Sequence, residues 1–176
     1  MGGVVRAVQE RRPEPTLNEP ATKVRAVSGL AVVTALAVIA VDHATKWWAL
    51  GALDDRNIDL VWKLRFNLVH NSGAAFGLGS RFAPLFAIAA LTVVLVLFRT
   101  NLGFQSRLSQ LAVGMVLGGA IGNLLDRLFR DGHGFLGGRV VDFIDVQFWP
   151  VWNVADMGIF CGAITLAICA GREPAA

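Results

Sequence analysis

Four stretches of the chain are almost wholly apolar: residues 27–50, 82–98, 108–129 and 149–170. Each lies near the ~20 residues that a helix needs to cross ~30 Å of hydrocarbon, the second being the shortest. In lipid only helices and closed barrels satisfy their own backbone groups, and none of these stretches alternates as a barrel strand does. The pattern predicts an α-helical membrane protein with four transmembrane helices and both termini on one side. A different period occupies the first long connection. Ile58, Leu60, Trp62, Leu64, Phe66 and Leu68 alternate with Asp59, Val61, Lys63, Arg65 and Asn67. A period of two reads as one β-strand with an apolar face, here laid on the membrane or on the helix ends. The connection 132–138 is Gly-rich, and 140–148 adds a second short strand.

Composition agrees with a membrane class. The 176 residues are 55% hydrophobic and only 16% charged, with a mean hydropathy of +0.56, too apolar for an ordinary soluble domain. The net charge of +3 comes with no basic tract interleaved with aromatics, which argues against nucleic acid as a partner. Residues 1–25, with Pro13, Pro15 and Pro20 among mixed charges, read as a disordered tail, followed by one membrane domain over 26–171 and a short tail at 172–176. Basic residues outside the spans lean to the terminal side, eight against six, which places both tails in the cytoplasm and the first and third connections outside. Cys161 and Cys169 lie about two helical turns apart, too far for a disulfide. His43, His70 and His133 show no ligand spacing with Cys or Glu, so no metal and no cofactor is expected.

The chemistry lies in polar residues that interrupt the apolar runs at one end. Asp42 and Lys46, at i and i+4, share a helix face and can pair, with Lys46 snorkelling outward as the structural alternative to ligand contact. Asn71-Ser72-Gly73 makes a turn or sets an amide against an extended peptide. Gly114, Gly118 and Gly122 recur every four residues, a spacing that lets membrane helices approach closely. Asn123, Asp126 and Arg127 then share one face of that helix, turned inward rather than toward lipid because each charge near mid-bilayer costs ~2.5–3.5 kcal/mol. Asn153 and Asp156 open the last span together, and Asp142 or Asp145 arrives from the preceding strand. Those two acids point to opposite faces of a strand, and spacing alone does not choose between them. Two carboxylates gathered at one membrane face point to acid–base chemistry there. A serine site at Ser72 with His70 or His133, an ion-coupled membrane transporter or channel, and a structural scaffold are the competing readings.

Five motifs, in order, resemble those of bacterial lipoprotein signal peptidase, signal peptidase II. They are Asp42-x-x-Thr45-Lys46, Asn71-x-Gly73-Ala74-Ala75-Phe76, Gly118-Gly119-Ala120-x-Gly122-Asn123-x-x-Asp126-Arg127, Val141-Asp142-Phe143 and Asn153-x-Ala155-Asp156. The resemblance covers about residues 28–170. It implies an aspartic endopeptidase of the bacterial inner membrane. The enzyme would remove the signal peptide from diacylglyceryl-modified prolipoproteins just before the lipidated cysteine. It also implies a catalytic pair at Asp142 and Asp156, which chooses Asp142 over Asp145, and supporting residues at Asp42, Lys46, Asn71, Gly119, Asn123, Asp126, Arg127, Asn153 and Ala155. A small extracytoplasmic β-sheet cradle, inhibition by globomycin and contact with membrane lipids follow from it as well. The motifs make a complete site in one chain, so a monomer is sufficient. In this reading the asparagines and Arg127 hold the substrate backbone, while the two acids share one proton and activate water.

Overall fold

The computed structural model describes residues 28–72, 92, 106–132 and 136–170. The expected terminal tails and, residue 92 apart, the expected span at 82–98 lie outside the described residues. The described chain runs α1 (Gly29–Ala52), β1 (Ile58–Val61), β2 (Leu64–Asn71), α2 (Arg107–Phe129), β3 (Val140–Asp145) and α3 (Val154–Ala170).

Two of these helices, α1 and α2, are long and apolar enough to cross a membrane; α3 is apolar and shorter. Their outward faces need lipid. Val33 and Leu36 on α1 are 63% and 60% exposed, and Phe160, Ile164 and Ile168 on α3 are exposed too. Trp47, Phe129 and Trp149 stand uncovered near one end of the bundle, where aromatic rings favour the lipid–water boundary. The protein is a membrane protein with a small sheet at that end.

Small residues set the helix spacing. On α2, Gly114, Gly118 and Gly122 face α1: a Cβ at Gly114 would stand 2.6 Å from the Ala31 carbonyl oxygen, and one at Gly118 2.7 Å from that of Ala35. Gly119, one step round, lies against Ala155 and Ile159 of α3. Gly158 and Gly162 return the contact toward Met115 and Ala112. The glycine period therefore reads as helix packing, with α2 between α1 and α3. At the other end, Ser28 caps α1 by accepting from the Ala31 N–H (3.2 Å) and donates to Gln110 of α2 (2.8 Å).

The sheet corrects two expectations. The alternating run at 58–68 is a hairpin rather than one strand. Trp62 takes a left-handed φ of 51° and turns the chain at 62–63. Alternation survives the turn because a bulge between Asp59 and Val61 restores the register, leaving Ile58 opposite Phe66 on one face. Antiparallel β3 completes the order β1-β2-β3. That face meets the end of α1: Trp48 packs edge-on to Phe66 and Phe143, with centroids 5.2 and 6.1 Å apart. The last helix also begins at Val154, not at 149, because residues 150–153 are spent on a bridge between Trp152 and Ile144 and on a cap.

Adding a side chain at a close helix crossing tests this packing. Gly118→Leu is expected to cost about 1–3 kcal/mol of stability, read as reversible unfolding in detergent, from overpacking against Ala35 and Val38. Gly51→Ala, where a Cβ meets nothing within 4 Å, serves as the control and should not destabilise.

Candidate active site

Helix α3 starts with a reciprocal cap. The Asn153 side-chain oxygen accepts from the Asp156 N–H (2.9 Å), and Asp156 Oδ2 accepts from the Asn153 N–H (3.3 Å). This Asn-x-x-Asp arrangement satisfies two helix-end donors and fixes both side chains at the mouth of the helix. Asn153 is fully buried, and its amide also donates to Asp142 Oδ1 (2.7 Å) and Asn123 Oδ1 (3.1 Å). Asn71, the last residue of β2, donates to Asp142 Oδ2 (2.8 Å), and Asn123 donates to Asp156 Oδ1 (2.7 Å). The two aspartates thus bind the same asparagine. The strand pairing of Val69 with Asp142 and Asn71 with Val140 carries the Asn71 amide to its partner.

Beneath this lies a buried charge cluster. Lys46 of α1 has an ammonium 2.7 Å from Asp42 Oδ2, 2.8 Å from Asp126 Oδ2 and 3.0 Å from Asn123 Oδ1. The expected Asp42–Lys46 pair is there, but Lys46 is fully buried and points into α2; it does not snorkel. An inward carboxylate and an amide on the facing helix reward that direction more than the distant water would. Asp42 Oδ1 accepts from the Ala155 N–H (2.9 Å), and Asp126 pairs with Arg130 and accepts from the Val141 N–H (3.3 Å). Arg127, 7% exposed, donates to the Gly138 carbonyl (3.4 Å). Gly138 itself is pressed against the last carbonyls of α2, where a Cβ would stand 2.5 Å from Asp126 O. Gly119 lets Ala155 come close enough for its N–H to reach Asp42.

Asp42, Lys46, Asn71, Asn123, Asp126, Asp142, Asn153, Ala155 and Asp156 therefore meet in one network, with Gly119 packed against it and Arg127 bonded to Gly138, while residues 73–76 of the second motif lie outside the described residues. The asparagines do not stand free for a peptide as expected: Asn71, Asn123 and Asn153 are each bonded to a carboxylate. Reading the motifs missed Arg130, although its i, i+4 spacing from Asp126 was a usable signal. It missed the Arg65–Asp145 pair as well.

Four acids are buried here: Asp42, Asp126, Asp142 and Asp145. Three of them have a cation within ion-pair distance; among the described residues Asp142 has none. Burial, and then the neighbouring Asp156 carboxylate, push the Asp142 carboxyl up to about 7, against the hydrogen bonds from Asn71 and Asn153 and the charge of Lys46. Asp145 behaves in the opposite way. Burial pulls it up, but Arg65 (2.7 Å), the Gln147 N–H (2.6 Å) and Asn67 (3.1 Å) outweigh that and hold it below its ordinary range. The strand turns it away from Asp142 and toward this pin.

A solved bacterial membrane enzyme has the same fold, with a TM-score of 0.65, 27% identity and coverage of 84% of this chain and 95% of that one. The family model described as signal peptidase (SPase) II matches residues 34–171. Lipoprotein signal peptidase of Rhodococcus jostii is 37% identical over 169 residues, covering 92% of this chain and 80% of that protein. That of Syntrophomonas wolfei is 41% identical over 136 residues, covering 76% and 87%. The chain has the fold of a bacterial membrane enzyme. It belongs to the signal peptidase II family.

The Asp145 pin makes a stability prediction. Its lowered carboxyl stabilises the fold above the unfolded value of about 3.9 and loses that contribution as pH falls through the folded value. Asp145→Asn should therefore cost about 1–3 kcal/mol at neutral pH, and the gap to wild type should close in acid, as unfolding at several pH values would show.

Proposed function

We propose that Asp142 and Asp156 are the catalytic pair of this aspartic endopeptidase, which removes signal peptides from prolipoproteins. The observation that carries the assignment is their common hold on Asn153, together with the lack of an ion-pair partner for Asp142 among the described residues. Two adjacent carboxylates do not both ionise cheaply, so the pair keeps one proton, and its apparent constants belong to the pair. The ionised member takes a proton from water as the water oxygen bonds to the scissile carbonyl carbon. The protonated member gives its proton to the carbonyl oxygen. Collapse of the tetrahedral species breaks the C–N bond, and the amine leaves with a proton returned by the pair. Asn71, Asn123 and Asn153 donate to the carboxylates and hold them oriented for these transfers. Asp42, Lys46, Asp126, Gly119 and Ala155 hold those asparagines and the start of α3. Arg127, buried like Lys46, is the cation assigned to a substrate carbonyl.

The surroundings support a finer reading. Four spans in the cell membrane, both tails cytoplasmic and the sheet outside would put the pair just below the outer headgroups, since the polar residues gather at the sheet end of α1, α2 and α3. The substrate is diacylglyceryl-modified; its acyl chains stay in the bilayer and deliver the bond before the lipidated cysteine to the incompletely buried Asp156. Globomycin occupies the same place. One chain carries the whole network, so a monomer suffices. The transporter alternative has no support from the relatives, which are peptidases.

Purified Asp142→Asn and Asp156→Asn enzymes should each lose about 10²–10⁴-fold or more in turnover of a diacylglyceryl-modified prolipoprotein, with globomycin abolishing the wild-type rate. Near-normal cleavage by either variant contradicts the pair. The wild-type pH profile should be a bell whose alkaline limb, where the pair loses its shared proton, lies near about 7.

A further inference from the structure

Two consecutive residues of β3 enter the same apolar cluster. Phe143 is buried there with Ala49 and Leu53 at the end of α1, and Ile144 packs against the same group. Successive side chains of a regular strand stand on opposite faces, so the alternation is broken between these two. The hydrogen bonds show how. The N–H groups of Phe143 and Ile144 both donate to one carbonyl, that of Trp152, each at 2.9 Å, and the Trp152 N–H returns a bond to the Ile144 carbonyl at 3.1 Å. Two residues of β3 thus oppose one of the partner segment, which is a β-bulge. The pairing on the other edge of β3 records the same break. Phe66 stands opposite Ile144 and Val69 opposite Asp142, so β2 takes three steps where β3 takes two.

The consequence falls on Asp142. In an unbroken strand it would share a face with Ile144, two residues on, and turn toward the apolar cluster. With the bulge between them it leaves on the other face, where Asn71 and Asn153 donate to it at 2.8 and 2.7 Å. Those amides orient a carboxyl already on their side. They cannot carry its Cβ through the sheet, because the backbone decides the face. Trp152 also adjoins Asn153, the side chain bonded to Asp142 and to the Asp156 N–H. We infer that the Phe143–Ile144 bulge, latched by the main chain of Trp152, is a positioning element for the reaction: it turns Asp142 out of the apolar face and ties β3 to the start of α3, so that Asp142 and Asp156 meet.

This inference rests on the assignment of the catalytic pair. The latch is made of main chain, so the test removes one N–H and no side chain. In the full-length enzyme Ile144 is replaced by its α-hydroxy acid analogue, which puts an ester oxygen where the donor to Trp152 stood. The same replacement at Ile168, near the end of α3 away from the sheet, is the reference for losing one ordinary main-chain bond. Thermal unfolding checks that both fold. The Ile144 ester should show kcat at least tenfold below the Ile168 ester, with KM for a diacylglyceryl-modified prolipoprotein within threefold. Equal kcat in the two would overturn the inference. If the Ile144 ester does not fold, the native enzyme decides. Trp152-Asn153 is the one Trp-Asn step in the chain, so isotope labels on tryptophan carbonyls and asparagine nitrogens single out the Trp152 carbonyl in solid-state NMR. Further label on phenylalanine or isoleucine nitrogens then reports whether Phe143 and Ile144 lie within hydrogen-bond range of that carbonyl. Contact with both is expected, and contact with only one would overturn the latch. Asp142→Asn assayed alongside separates the cases: its retained activity would sink the catalytic pair itself, whereas its inactivity with equal kcat in the two esters would sink only the role of the bulge.

Discussion

A carboxylate carried to the edge of hydrocarbon has to be paired, hydrogen-bonded or protonated, and this protein meets that constraint differently for each of its buried acids. Asp42 and Asp126 close on Lys46, Asp126 also on Arg130, and Asp145 closes on Arg65. Among the described residues Asp142 receives amide N–H groups and no cation. Amides stabilise an anion less than a cation does, and Asp142 is the one whose carboxyl is driven up to about 7. The ion pairs thus hold the structure together, and the acid left out of them is the one proposed above as reactive.

The same constraint explains the helix arrangement. Close approach at Gly118, Gly119 and Gly122 brings Asp42, Asn123 and Ala155 within bonding distance of groups on neighbouring helices. A bulkier stripe would keep the helices apart and leave polar groups unpaired in a medium that supplies no water. Packing and polar satisfaction are therefore a single requirement here. Removing the Lys46 ammonium is expected to cost about 3–5 kcal/mol, more than a lost surface contact, because Asp42 and Asp126 both stay buried beside the place it leaves.

Much of this was legible in the residues. Apolar length predicted α1 and α2, the i, i+4 rule predicted the Asp42–Lys46 pair, and the glycine period predicted helix packing. What escaped depends on tertiary geometry. Alternation over 58–68 cannot reveal a turn at Trp62, because a bulge preserves the parity of the faces. Hydropathy runs straight through 149–153, whereas the cap at Asn153 sets the helix start. Spacing leaves Asp142 and Asp145 equivalent until β2 supplies Arg65 to one and Asn71 to the other. Lys46 looks like a snorkelling residue unless the facing Asn123 and Asp126 are known.

The most direct test of the shared-proton pair is infrared difference spectroscopy of the wild-type enzyme across a pH titration, with Asp142→Asn as reference. A carboxylic acid signal that titrates near about pH 7 in wild type and is missing from Asp142→Asn is the predicted result. A wild-type spectrum in which no carboxyl group titrates near neutrality, or one unchanged by the substitution, would contradict it.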